Sequence, residues 1–153
     1  MPKYKIILLI IIILLVALSW TLSSLSRDIS SRQSNAIASF FSPLLDFVFG
    51  ESNYNLPFFD KFIRKAAHVT EYLLISSLLA LVFDPVRSGI PLTLLISMCL
   101  ALFDETIQIF SERGTSVLDV WLDFGGACIG LLIGMFIYYV LMKKRNPHRQ
   151  QTS

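Results

Sequence analysis

The sequence predicts an all-α integral membrane protein, a four-helix bundle with an interfacial helix between helices 1 and 2. The chain has 153 residues, of which 54% are hydrophobic and only 16% are charged, whereas roughly a quarter of a typical soluble domain is charged. The mean hydropathy is +0.65, and the apolar residues form long blocks. A chain of this length has room for one domain at most, so we predict a single membrane domain over residues 1–153.

Four apolar blocks are long enough to cross a bilayer, which takes about 20 residues of α-helix. They cover residues 6–25, 62–83, 90–110 and 117–142. The first block contains Ala17-Leu18-Ser19, a small-x-small sequence typical of signal-peptide cleavage sites. Its apolar stretch continues through Trp20 and Leu22, so a retained helix is the favoured interpretation.

Residues 26–62 form the one long connection. Its apolar residues recur near helical spacing, which predicts a helix lying on the membrane surface; they are Ile37, Phe40, Phe41, Leu44, Leu45 and Val48. Pro43 would bend or break this helix. A loop that packs its phenylalanines against the bundle is the alternative.

The two later connections are short. Asp84-Pro85 ends the second block, because the residue before a proline is disfavoured in a helix. Pro91 is compatible with the first turn of the third helix, and Gly114 marks the loop before the fourth.

Four spans place both termini on one side of the membrane. Basic residues in short loops favour the cytoplasmic side, and seven lie on the terminal side against six on the other. The basic pair at Lys3 and Lys5 and the basic tail at residues 143–149 favour cytoplasmic termini. We therefore predict a multi-pass protein of the cytoplasmic membrane with both termini in the cytoplasm. The net charge of +2 is too small to indicate a nucleic-acid partner.

The ionisable residues of the spans, together with the polar Gln108, fall at one end of the predicted bundle. The second and fourth helices begin at that end, and the third helix ends there. Helical rise places all of these residues within roughly 10 Å of one membrane surface. They are His68, Glu71, Asp104, Glu105, Gln108, Asp119 and Asp123.

The positions of these residues on the helix faces also predict that they lie close together. Asp119 and Asp123 share a stripe of the fourth helix with Gly126, Gly130 and Gly134. Small residues at this spacing let helices approach closely, within one chain or between chains. The two carboxylates are therefore predicted to face other helices, and ionisable residues inside a membrane indicate a functional site.

Several segments in order resemble the VanZ-like family over about residues 19–134. They are the polar run Ser31-Arg32-Gln33-Ser34, the run Arg64-Lys65-Ala66-Ala67-His68-Val69-Thr70-Glu71-Tyr72, Asp104-Glu105-x-x-Gln108-x-Phe110, then Arg113, and Asp119-x-x-x-Asp123-x-Gly125-x-x-x-x-Gly130. The resemblance implies a bacterial membrane protein of the cell envelope. The founding member is associated with low-level teicoplanin resistance, so the resemblance implies a possible link to antibiotic resistance.

The chain departs from the family pattern at Ile107, where the family often has a histidine. A mechanism that requires that second histidine is therefore unavailable to this chain.

Our first hypothesis is that this protein binds or acts on an anionic envelope lipid or lipid-linked precursor at an outer-leaflet site. Histidine ordinarily titrates near neutrality and suits general acid or base work. The predicted catalytic residues are His68, Glu71, Glu105, Asp119 and Asp123. The predicted substrate-binding residues are Arg64, Lys65, Asp104, Gln108 and Arg113.

Two other functions and a purely structural role are the alternatives to this hypothesis. A non-enzymatic envelope protein would use the cluster to recognise a precursor or to alter antibiotic access. A small proton-coupled transporter ranks last, because a conduction path should carry polar residues through both halves of the membrane. The structural interpretation is a salt-bridge network, for example Glu71 with Arg113 and His68 with Asp123.

No cofactor is predicted, because the spacing His68-x-x-Glu71 also arises by chance. A hard divalent ion such as Mg²⁺ or Mn²⁺ is the alternative, since the cluster is rich in carboxylates.

Overall fold

The computed structural model describes residues 2–25, 56–85, 89–110 and 116–145, with the isolated residues 29, 32, 36–37, 39–40 and 43. The continuous ranges contain four helices: α1 (Lys3–Ser23), α2 (Leu56–Phe83), α3 (Gly89–Phe110) and α4 (Val117–Arg145). Each has a stretch long and apolar enough to cross a membrane, which confirms the predicted four-helix membrane bundle. The predicted interfacial helix lies, apart from those isolated residues, outside the described residues.

The second helix begins earlier than the apolar pattern predicts. It starts at Leu56 rather than near residue 62, and Pro57 is compatible with this because a proline in the first turn breaks no intrahelical bond. Its membrane-spanning stretch is nevertheless Lys61–Phe83, close to the predicted span. The five extra residues, 56–60, therefore lie before the membrane-spanning stretch.

Large apolar side chains point outward along the bundle. Ile13, Leu132 and Phe136 are strongly exposed, as are many others on all four helices. A soluble protein rarely exposes so extensive an apolar surface, whereas lipid tails solvate it. The outward surface therefore agrees with a membrane location.

The apolar core joins α1, α2 and α3. Ile12 of α1 is buried with Ile75, Leu79 and Val82 of α2, and Leu100 of α3 packs against this group. At the end that carries the N-terminus, Nζ of Lys5 donates a hydrogen bond of 2.6 Å to the carbonyl oxygen of Val82. The start of α1 therefore lies beside the end of α2, and the two helices run antiparallel.

The glycine stripe of α4 packs against α2 within the same chain. A Cβ built on Gly126 would lie 2.5 Å from the carbonyl oxygen of Val69, and one on Gly130 would overlap the backbone of Leu73. Oγ of Ser77 donates a buried hydrogen bond of 2.8 Å to the carbonyl oxygen of Gly130. This close approach places the first turns of α4, with their carboxylates, directly against α2.

The end of α2 contacts the start of α3. Asp84 has a φ of 58°, a left-handed conformation that cannot continue a helix. The amide of Gly89 donates a 3.3 Å hydrogen bond back to the carbonyl oxygen of Asp84. A Cβ on Gly89 would lie 2.6 Å from that same oxygen, so this contact requires glycine there.

Candidate functional site

Polar side chains from all four helices meet at the end of the bundle where α2 and α4 begin. The last turns of α1 and α3 reach the same end. Beneath the cluster, Tyr72 packs with Ala101, Val120 and Ala127 in a buried group from three helices. This packing fixes the spacing of the helices that carry the polar residues.

His68 lies between two carboxylates. Its Nδ1 is 3.5 Å from Oδ2 of Asp104 on α3 and 3.7 Å from Oε2 of Glu71 on its own helix. The His68 side chain is 18% exposed, whereas Asp104 is fully buried. These are the ion-pair contacts of His68 within the described residues, so the structure pairs the histidine differently from the predicted His68–Asp123 salt bridge.

Asp123 of α4 completes the centre of the cluster. It is 4% exposed, and a carboxylate oxygen of Asp123, a carboxylate oxygen of Asp104 and a ring nitrogen of His68 all lie within 4.8 Å of one another. The structure therefore brings together three predicted site residues from three different helices.

Glu71 is held by a residue of α1 that sequence reasoning did not assign to the site. Oγ of Ser19 donates a hydrogen bond of 3.1 Å to Oε2 of Glu71, and Ser19 is almost fully buried. In the sequence Ser19 drew attention only as part of a possible cleavage site. A usable signal was the four-residue spacing of Ser19 and Ser23, which places two hydroxyls on one face of the helix, and the structure buries that face together with Ile12.

Gln108 acts on Asp104 from one turn away along α3. Its Nε2 donates a 3.1 Å hydrogen bond to Oδ2 of Asp104. Both residues were predicted to bind substrate. In the structure the amide of Gln108 orients the buried carboxylate of Asp104, which lies at the centre of the cluster.

Glu105 connects the end of α3 to the start of α4. Its Oε1 accepts a 2.7 Å hydrogen bond from the amide of Ser116, and Oγ of Ser116 accepts one from the amide of Leu118. Ser116 thus caps the N-terminus of α4. Glu105 therefore has a clear structural contact, which its predicted catalytic role did not anticipate.

A lysine and a carboxylate mark the outer rim of the cluster. Nζ of Lys65 forms an ion pair with Oδ1 of Asp119, and the two side chains are 45% and 27% exposed. Arg64 is half-buried beside them in sequence. Arg113, the remaining predicted cation, lies outside the described residues. The described rim is therefore an accessible ion pair, whereas Asp104 and Asp123 at the centre are buried.

Comparison with known protein families identifies the family to which this chain belongs. The VanZ/LLP1 family model matches residues 8–141, which is most of the chain and includes every residue of the cluster. The chain belongs to the VanZ/LLP1 family. This confirms the predicted resemblance. Comparisons with curated proteins and with solved structures gave no match.

Membership of the VanZ/LLP1 family agrees with the four membrane-spanning helices. The matched range contains all the predicted catalytic and substrate-binding residues. Their individual roles stay predictions.

Proposed function

We propose that this VanZ/LLP1 protein binds the head group of an anionic envelope lipid or lipid-linked precursor at the polar cluster. The observation that carries the proposal is the position of His68, between Asp104 and Glu71, at the end of four membrane helices. Polar groups buried at that depth are costly unless they serve a ligand or pair with one another. The site is reached from a lipid-water interface, where head groups lie.

The rim supplies the positive charge that an anion requires. Lys65 is 45% exposed and is held by Asp119, and a phosphate would compete with that carboxylate for the ammonium group. Exposed pairs of this kind contribute only about 0–1 kcal/mol, so an anionic ligand displaces Asp119 at little cost. His68 lies one turn further along α2, on the inner side of this rim.

Turnover of the bound lipid is part of the hypothesis. A histidine beside an orienting carboxylate is an arrangement used in general acid and base catalysis. Nδ1 of His68 faces Asp104, which leaves Nε2 as the ring nitrogen that a ligand would meet. In this hypothesis Glu71 and Asp123 orient this imidazole or balance its charge, whereas Asp119 holds Lys65 at the rim.

Lipid binding can be measured with the purified full-length protein in detergent. The probes are a polyprenyl phosphate, phosphatidylglycerol and zwitterionic phosphatidylcholine, with inorganic phosphate as competitor. We expect an anionic lipid to bind at least tenfold more tightly than phosphatidylcholine, and Lys65→Met to remove most of that preference. Lys61→Met is the matched control, since Lys61 is an exposed lysine one turn earlier on α2. Equal binding of anionic and zwitterionic lipids would refute the proposal.

An outer-leaflet location and a link to teicoplanin resistance belong to the same proposal. The location is supported by the basic residues near both termini, and the resistance link by family resemblance alone. Expression in a teicoplanin-susceptible bacterium should raise the inhibitory concentration of teicoplanin for the wild-type chain and not for His68→Ala at equal membrane level. An unchanged inhibitory concentration with the wild-type chain rejects the link to resistance and leaves lipid binding to its own test.

Proton-coupled transport is the second candidate, and a stripe of α3 favours it. Thr93, Ser97, Ala101 and Asp104 follow one another on a single face, and all four are fully buried. The hydroxyls of Thr93 and Ser97 have no hydrogen-bond partner in the described part of the chain. Polar groups therefore continue along α3 from the cluster into the other half of the membrane. Acidification of the interior of proteoliposomes, abolished by Asp104→Asn, would support transport over binding alone.

A further inference from the structure

Three side chains at the centre of the cluster have the composition and spacing of a metal site. One imidazole nitrogen and two carboxylate oxygens, from His68, Asp104 and Asp123, lie within 4.8 Å of one another. They come from α2, α3 and α4, so the packing of three helices brings them together. Asp104 and Asp123 are 0% and 4% exposed.

The spacing is close to what a bound ion requires. Three atoms no more than 4.8 Å apart share a point within about 2.8 Å of each, whereas zinc binds nitrogen and oxygen ligands at about 2.0–2.2 Å. Each ligand atom therefore needs to move by less than about 1 Å to reach the ion. Small rotations of the three side chains accomplish this without a shift of the helices.

A second and independent observation comes from unpartnered polar atoms. Oδ1 of Asp104 and Nδ1 of His68 are buried and have no hydrogen-bond partner within the described residues. Leaving such an atom unpaired costs about 1–3 kcal/mol, and more for a charged group. Gln108 donates to Oδ2 of Asp104 and so leaves Oδ1 open. A cation bound through Oδ1 of Asp104 would give this buried oxygen the partner that it lacks.

The combined charge of the three side chains also favours a bound cation. With a metal bound, two carboxylates and a neutral imidazole would carry a formal charge of −2, which one divalent cation neutralises. Buried charges inside a membrane persist only when they are paired or coordinate a metal. The hydrogen bond from Gln108 to Asp104 supplies the outer support that usually orients metal ligands.

We propose that His68, Asp104 and Asp123 bind one divalent transition-metal ion, Mn²⁺ or Zn²⁺. The imidazole separates these ions from Mg²⁺ and Ca²⁺, which prefer oxygen ligands throughout. In this arrangement His68 is a ligand and not a proton carrier, which takes the inference beyond the proposed function.

The ion would also explain how an acidic centre accepts an anionic ligand. Three protein ligands leave at least one coordination position open. The phosphate of a lipid head group would fill that position from the side of Lys65. This last step rests on the proposed function, whereas metal binding itself does not.

The test is a metal titration of the untagged full-length protein in detergent, with no lipid added. After chelation and removal of the chelator, the protein is titrated with Mn²⁺ and with Zn²⁺ alone. Bound metal is measured by mass spectrometry, and the Mn²⁺ sample by electron paramagnetic resonance. We expect one ion per chain, with at least tenfold weaker binding in Asp104→Asn and Asp123→Asn. Asp84→Asn is the matched control, because Asp84 lies at the other end of α2 and asparagine tolerates its positive φ.

Each outcome is decisive. One ion per chain, lost in both site variants and kept in Asp84→Asn, supports the proposal. No stoichiometric Mn²⁺ or Zn²⁺ on the wild-type chain overturns it without reference to any variant. Equal binding by folded wild-type protein and folded Asp104→Asn also overturns it, since the ion then lies elsewhere. If the site variants do not fold, X-ray absorption spectroscopy at the zinc edge of the zinc-loaded wild type decides whether a histidine nitrogen and carboxylate oxygens surround the ion, and a shell without histidine overturns the proposal.

Because the titration contains no lipid, its failure leaves the proposed lipid binding intact. Conversely, a protein that binds one metal ion but no anionic lipid would retain the metal site and lose the proposed function.

Discussion

Nδ1 of His68 lies 3.5 Å from Oδ2 of Asp104, on a neighbouring helix that runs in the opposite direction. The contact joins a partly exposed imidazole to a fully buried carboxylate. Glu71, Asp123 and Glu105 lie on the same end of the bundle, so this one histidine is outnumbered by acids. The cluster is therefore poorly balanced as a set of structural salt bridges, and five predictions follow from its geometry and surroundings.

Replacing Asp104 by asparagine should leave thermal stability unchanged or raise it. The variant removes one of several crowded carboxylates and keeps the shape of the side chain. In a structural salt-bridge network, loss of one buried partner would instead cost about 3–5 kcal/mol. Thermal unfolding in detergent with a chelator present separates the two cases. A fall of several kcal/mol would show that the cluster is chiefly architectural.

The ion pair at the rim predicts opposite effects of its two members on lipid binding. Lys65→Met should weaken binding of a polyprenyl phosphate, because the exposed cation is lost. Asp119→Asn should strengthen it, because Lys65 then has no competing carboxylate. Both variants should change stability by no more than about 1 kcal/mol. Parallel losses of affinity in the two variants would contradict this role for Asp119.

Ser19 should matter to the site although it belongs to the first helix. Ser19→Ala removes the hydrogen bond to Glu71 and should lower lipid affinity severalfold, with a stability loss of about 1 kcal/mol. Thr21→Val is the control, since the hydroxyl of Thr21 is exposed and donates within its own helix to Ala17. Equal affinities of these two variants would remove Ser19 from the site.

Two glycines of the fourth helix should respond differently to alanine. A Cβ at Gly130 would overlap the backbone of Leu73, whereas nothing lies within 4 Å of one at Gly125. Overpacking of this kind costs about 1–3 kcal/mol, so Gly130→Ala should lower the unfolding temperature. Gly125→Ala should not, because alanine is the better helix former. A stable Gly130→Ala protein would argue against the close α2–α4 contact.

The proposed orientation predicts which positions face the outside of the cell. In a variant with Cys99 and Cys128 replaced by serine, a membrane-impermeant thiol reagent should label Lys65→Cys in intact cells. Lys3→Cys, at the opposite end of the bundle, should be labelled only after the cells are opened. The reverse pattern would place the cluster on the cytoplasmic side.

Many residues of the site could be predicted from the sequence, because helical periodicity and the alternating direction of the spans are local properties. The second and fourth spans must begin where the third ends, so His68, Asp104 and Asp123 had to share one membrane surface. Spacing of four residues also predicted the glycine stripe. Which side chains of the site contact one another was not predictable, because these contacts depend on the rotation and tilt of each helix relative to its neighbours.

The contact of Ser19 with Glu71 could not be predicted from the local sequence. A serine in an apolar block has several possible environments, and only the position of α1 against α2 decides among them. Gln108 and Glu105 show the same limit, since their partners Asp104 and Ser116 were set by side-chain direction and by the approach of α3 to α4.

By itself the sequence determined the membrane location, the number of spans and the end of the bundle that carries the charges. These follow from apolar block length and from the parity of the spans, and neither depends on long-range packing. Only the tertiary structure decided that the glycine stripe packs inside one chain and that His68 meets Asp104. Only it brought three ligand-type atoms within 4.8 Å, because such distances depend on how closely two backbones approach.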